Sequence, residues 1–321
     1  MTTQLKLPLL NATPSDEYLD TERLRLAASV RSPRTIATYS SAWKDFESWA
    51  AKNSRNSLPA NPDAVAVYIT ELLNRPCRIT TAAHRLTAIG DRHRRAGYPD
   101  PCTPEVRAVV DGAQRLRGEQ PCGKEPLSVE QLGAIVRATK DKSPLGLRNR
   151  AILLFGFATA LRRSTLVALL LTDLEFSDQG VEVKIRREKQ DQHGRGRTVA
   201  VPYGEKQYTC PVRALQAWLK CRGSGAGSLF TRVERRRPTL KGLEPHTIGR
   251  VVKKCVQRIG LSPAHYAGHS LRAGFVTEAL ERGVGEIRVA HHTGHRSLSC
   301  LRRYYRPVDL FRSNACSMLG L

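Results

Sequence analysis

Apolar residues in this chain recur at helical spacing almost everywhere, and the period changes to two in one short region. In "GVEVKIRREK", Val181, Val183 and Ile185 alternate with Glu182, Lys184 and Arg186. "RTVAVP" repeats the alternation with Val199 and Val201. Between the two runs lies the polar segment "QDQHGRG", with Gly194 and Gly196. Successive strand side chains point to opposite faces, so this pattern predicts an antiparallel hairpin with one buried face. Lys189 falls near its tip. One such hairpin among helices restricts the fold class to a mainly α chain with a small antiparallel β hairpin or sheet, an α+β arrangement.

The helical stretches divide into two groups. "SPRTIATYSSAWKDFESWAAK" offers Ser32 as N-cap and Pro33 at the first helical position. Ile36, Tyr39, Trp43, Phe46 and Trp49 follow on one stripe, which reads as core. Further helices are expected at "NPDAVAVYITELL", at the basic, amphipathic "ITTAAHRLTAIGDRHRRAG" and after Pro104. "GEQPCGKEPLS", rich in Gly and Pro, reads as a connection, and Ser128 with Gln131 forms a capping box where helices resume. The expected organisation is a disordered N-terminus over 1–14, a helical domain over 15–118, a linker over 119–127 and a second domain over 128–321.

Charge narrows the partner. Lys and Arg number 52 against 29 Asp and Glu, a net charge of +23 spread over both halves. Such an excess points to a polyanion, most often nucleic acid. "RVERRRPTLK", Arg232 to Lys241, reads as a basic loop suited to phosphate contact. The eight cysteines are scattered without a C-x-x-C pair, which disfavours a zinc ribbon or disulfide framework. No run approaches the ~20 apolar residues of a membrane span. "MTTQLKLPLLNATPSDE" has no cleavage context, so no signal peptide is expected. The expected location is the cytoplasm, in association with the nucleoid.

Four segments of the second half place a cation or proton carrier at a defined spot. Arg162 stands in "TALRRSTLVAL", Lys189 on the hairpin, and His269 with Arg272 in "GHSLRAGF". His295 precedes a tyrosine by nine residues in "GHRSLSCLRRYYRP". "HHTGH" spaces His291 and His295 for a metal, but Glu is missing from the motif and Gly294 disfavours a regular helix, so no metal is expected. No G-x-x-x-x-G-K-[ST] loop occurs, so no nucleotide cofactor of that kind is expected. In the last segment Leu298, Leu301 and Tyr305 share one helical face directed at a core. Tyr304 is turned about 100° from Tyr305 and can face a cleft. Pro307 is expected to end this helix.

Taken in order, these motifs resemble those of the tyrosine-recombinase family of phage-type integrases, over nearly the whole chain. The resemblance implies a helical core-binding domain and a mixed catalytic domain. It implies a site of Arg162, Lys189, His269, Arg272, His295 and Tyr304, the last as nucleophile. It implies site-specific recombination of double-stranded DNA through a 3′-phosphotyrosine link, without metal or ATP. Arginine forks stay protonated and would clamp the phosphate oxygens. A tyrosine hydroxyl, with a pKa near 10, needs a base such as His269. Lys189 would protonate the leaving 5′ oxygen, and His295 would hydrogen-bond the phosphate. The resemblance also implies a homotetramer on paired DNA sites. The apolar end, with Leu310, Phe311, Met318, Leu319 and Leu321, would dock into a neighbour or fold back on its own domain. Two departures stand out. Thr165 occupies a position where the family commonly has Glu, and Ala273 one where some members have His. The rival readings are a type IB topoisomerase acting on one duplex and a DNA-binding regulator that has lost catalysis.

Overall fold

Ser32 accepts a hydrogen bond from the Thr35 amide and Pro33 opens the helix behind it, so α1 runs Pro33–Lys52. Asn61 and Pro62 start α2 (Pro62–Asn74) in the same way. With α3 (Ile79–Arg95) and α4 (Pro104–Arg117) they form the first of two compact units, Met1–Pro121 and Cys122–Leu321. The structure, a computed structural model, describes residues 21–23, 25, 30–118, 123–139, 141–188, 191, 194–302 and 304. Trp43, Phe46, Trp49, Tyr68 and Ile69 fill the core of the first unit. His93 is fully buried there, its Nε2 accepting from the Ala60 amide while Nδ1 faces the Ile89 carbonyl. The predicted stripe of α1 is corrected at its start. Burial begins at Ala42, so the first two turns of α1 reach past the core, leaving Ile36 44% exposed and Tyr39 half-buried.

In the second unit the capping box of Ser128 and Gln131 is formed and starts α5 (Val129–Ala138). α6 (Pro144–Thr159) is apolar on nearly all sides and packs against α8 (Pro211–Arg222) and α10 (His269–Glu281). The short α7 (Arg163–Ala168) follows α6. The predicted hairpin is β2 (Gly180–Ile185) with β3 (Arg197–Pro202), antiparallel, pairing Val183 with Val199 and Ile185 with Arg197. A strand not read from the sequence, β1 (Leu174–Phe176), extends it to a sheet of order β1-β2-β3. Three residues are too few to show a period. α9 (Pro245–Gln257), α11 (Glu286–Thr293) and α12 (Leu298–Arg302) complete the unit.

Three further expectations are corrected. "RVERRRPTLK" is not a loop: β4 (Thr231–Glu234) pairs antiparallel with β5 (Arg237–Gly242) around Arg235 and Arg236, both at positive φ. Leu127, assigned to the linker, is fully buried in the core, and its amide bonds the Ser270 carbonyl. Leu298 is 37% exposed, whereas Leu301 is fully buried with Val276, Val289 and Ala290. The expectations for residues 1–14, for the linker residues 119–122, for Tyr305 and Pro307 and for the apolar end fall outside the described residues. Among the described residues, no helix is long and apolar enough to cross a membrane.

Candidate active site

Ala160 ends α6 in the left-handed region, at φ 49°, and turns the chain so that Arg162 becomes the residue capping α7. The turn leaves the Ala160 carbonyl aimed inward, where it accepts 2.8 Å from Arg272 Nη1. Arg272 lies one turn into α10, on the same face as His269 at its start. It is 1% exposed. The same Nη1 also donates to the Thr293 carbonyl at 2.7 Å, so Arg272 ties the end of α6 to the end of α11. Burial, reinforced by the charge of Arg162, lowers its pKa.

Gly294 terminates α11 at φ 69°, and the His295 amide returns to the Ala290 carbonyl. This reversal lays His295 over Arg272. Nη2 donates 2.9 Å to His295 Nε2, so that nitrogen is the acceptor. Nδ1 then carries the proton and donates to Thr293 Oγ1 at 2.6 Å, which itself donates to the Val289 carbonyl. Desolvation, then the charges of Arg272 and Arg162, push the His295 pKa down to about 4. The imidazole is neutral at physiological pH.

Tyr304 follows α12, its amide bonded to the Leu301 carbonyl. Its hydroxyl lies 3.0 Å from His269 Nε2. The ring stands between two imidazoles, with centroids 5.6 Å from His269 and 5.5 Å from His295. His269 retains some exposure, yet loss of water around its ring, followed by the charges of Arg272, Arg162 and Arg163, lowers its pKa. With His269 neutral and its proton on Nδ1, Nε2 can accept a hydrogen bond from the Tyr304 hydroxyl. The geometry therefore holds a hydroxyl against a base, beside buried guanidinium donors. That is an arrangement for attack on a phosphorus centre.

Two residues not read from the sequence complete the cluster. Glu188, beyond the end of β2, has a side chain 6% exposed. Its Oε2 accepts 2.9 Å from Arg197 Nε, and its Oε1 lies 3.7 Å from Arg162 Nη1. Arg197 Nη1 donates 2.7 Å to the His292 carbonyl. Arg197 was legible: it shares the inward parity of Val199 and Val201, and an arginine at a buried strand position has a task. Glu188 was not, because the chain leaves the strand at Ile185 and alternation says nothing beyond it. Of the six residues expected at the site, the structure brings Arg162, His269, Arg272, His295 and Tyr304 together. Lys189 lies outside the described residues.

The profile of the phage integrase family matches residues 125–309. The integrase/recombinase xerD homolog of Selenomonas ruminantium is 33% identical over 312 residues, covering 95% of this chain and 91% of the relative. The chain belongs to the phage integrase family. Tyrosine recombinase XerC of Pelobacter propionicus is 27% identical, over 89% of this chain and 87% of the relative. Among solved structures, the Tn1549 transposon integrase in complex with transposon right end DNA aligns with a TM-score of 0.66 at 15% identity, over 94% of this chain and 98% of that one. A lambda integrase dimer bound to a core site aligns at 0.59 and 18% identity, over 90% and 94%. The chain carries buried, uncharged Thr165 at the position where members of the family commonly have Glu. The carboxylate beside Arg162 arrives instead from the hairpin, as Glu188.

Proposed function

We propose that this member of the phage integrase family, a tyrosine site-specific recombinase, cuts and rejoins DNA through Tyr304. The observation that carries the assignment is the 3.0 Å contact from the Tyr304 hydroxyl to His269 Nε2. The hydroxyl attacks the scissile phosphorus and passes its proton to His269. Arg162 and Arg272 hold the non-bridging oxygens, and their charge balances the charge that builds in the transition state. For His295 to hydrogen-bond the same phosphate, its Nε2 must carry the proton, in place of the bond that it accepts from Arg272 here. A 3′-phosphotyrosine forms, and the departing 5′ oxygen takes a proton from Lys189. A 5′ hydroxyl from a partner duplex then attacks the phosphotyrosine and reverses the step. The phosphodiester energy is kept in the covalent link, so strand exchange needs no ATP. The substrate is double-stranded DNA with paired recombination sites, gripped by a homotetramer in the cytoplasm at the nucleoid. The net charge of +23 suits that partner.

The test traps the intermediate on nicked duplexes made from the DNA flanking this protein's own gene. The wild-type chain is expected to form a covalent adduct, and Tyr304→Phe none, with affinity in a gel shift unchanged. Tyr305→Phe is expected to retain the adduct. An adduct with Tyr304→Phe and none with Tyr305→Phe overturns the assignment. Relaxation of supercoiled plasmids lacking paired sites would move the reading to a topoisomerase.

A further inference from the structure

We propose that Glu188 is the positioning residue for Arg162, and that Arg197 and Gly294 form the seat that holds its carboxylate in place. The inference rests on the phosphoryl-transfer reading above. Its basis is a convergence of charge: two guanidiniums, Arg162 and Arg197, face one carboxylate whose side chain is 6% exposed. Like charges so close repel, and the repulsion is strong where water is scarce. Glu188 neutralises it.

The seat has three walls. Arg197 grips both carboxylate oxygens, through Nε at 2.9 Å and Nη2 at 3.4 Å. The remaining Arg197 nitrogen is anchored on the His292 carbonyl at the end of α11. His292 is itself held, its Nε2 2.8 Å from the Ala158 carbonyl and its ring stacked on Phe275 at 4.6 Å. Gly294 closes the third side. A Cβ there would stand 2.7 Å from Arg197 Nε and 2.8 Å from Glu188 Oε2, and φ is 69°. Glycine is therefore required twice over, by the backbone turn and by the ion pair pressed against it. Arg162 meets this fixed carboxylate at 3.7 Å with its own side chain 21% exposed. Exposure of that size leaves an arginine room to swing outward. The carboxylate limits that swing and keeps the guanidinium on the side of Arg272 and His295.

Glu188→Gln keeps the shape and removes the charge. It also turns an amide donor toward one of two guanidiniums, which accept nothing. Adduct formation is expected to slow by about tenfold to a hundredfold, less than loss of a direct donor to the phosphate. DNA affinity in a gel shift is expected to hold. A second substrate separates positioning from general damage. Replacing one non-bridging oxygen by methyl, at the phosphate where the wild type forms its adduct, makes the linkage neutral and lessens the need for Arg162. With this methylphosphonate duplex the Glu188→Gln defect is expected to shrink, in parallel with that of Arg162→Ala. An equal defect on both duplexes, or no defect on either, overturns the proposal. If melting curves show that Glu188→Gln does not fold, Glu188→Asp, which keeps the charge one methylene shorter, is read by the same ratio. Failure of the wild-type chain to form any Tyr304 adduct would instead overturn the reading on which this one rests.

Discussion

At the scale of residues, the site is a set of neutral bases held among cations. His269 and His295 both lie below the usual histidine pKa because they have lost water and face arginines. For His295 the folded value is about 4 against 6.5. The unfolded chain thus takes up the proton first as the pH falls. Its contribution to stability is complete above pH 6.5 and is lost between 6.5 and about 4. Urea midpoints measured from pH 8 to 4 are expected to hold steady and then fall across that window, with a shallower fall in His295→Gln. An unchanged slope in the variant would count against the neutral, Thr293-bonded imidazole. The adduct rate is expected to fall on the acid side only, since the proposed mechanism makes neutral His269 the acceptor. The five residues read from motif order and described here meet at one place. The carboxylate beside them was invisible because its role depends on a loop path rather than on a period.

At the scale of elements, α10 carries both His269 and Arg272, so its seating sets the site. Gly274 makes that seating possible. A Cβ there would stand 2.0 Å from the Leu127 carbonyl oxygen and 2.9 Å from Phe157. The obstacle is backbone, which cannot rotate away. Gly274→Ala is expected to cost about 1–3 kcal/mol in urea unfolding and to displace α10, lowering adduct formation with it. Gly112→Ala serves as the control, because nothing lies within 4 Å of that Cβ in α4. There the change removes only the flexibility of the unfolded chain and is expected to stabilise by about 0.4–1 kcal/mol. The β4–β5 hairpin shows where local patterns misled. Tight hairpins with two residues at positive φ usually announce themselves with Asn-Gly. Here the turn is Arg235–Arg236, and the arginines that suggested a loop are the turn itself. Helices, by contrast, were legible from their caps at Ser32 and Ser128, because a cap is a single local hydrogen bond.

At the scale of the whole molecule, the proposed recombination requires several copies on DNA, and the apolar end beyond Val308 is a candidate segment for joining them, the alternative being that it folds back on its own domain. Truncation after Val308 is expected to leave a chain that binds a single half-site but neither pairs two sites nor recombines them, as read by native gel shifts and a recombination assay. Full recombination by the truncated chain would refute exchange of the end between copies. A truncated chain that fails to fold would mean that the end packs on its own domain. One feature of the interior reaches across the whole second unit. Arg272 is buried with two carbonyls and a neutral histidine around it, none of which cancels its charge. Those carbonyls close α6 and α11, so the same guanidinium joins two helix ends and, in the proposed mechanism, also receives the phosphate. By linkage, any anion that settles on Arg272 must strengthen the fold by the free energy with which the fold prefers it. Under the proposed mechanism substrate recognition and structural cohesion are one equilibrium, and DNA acts on this protein as a folding ligand as well as a substrate.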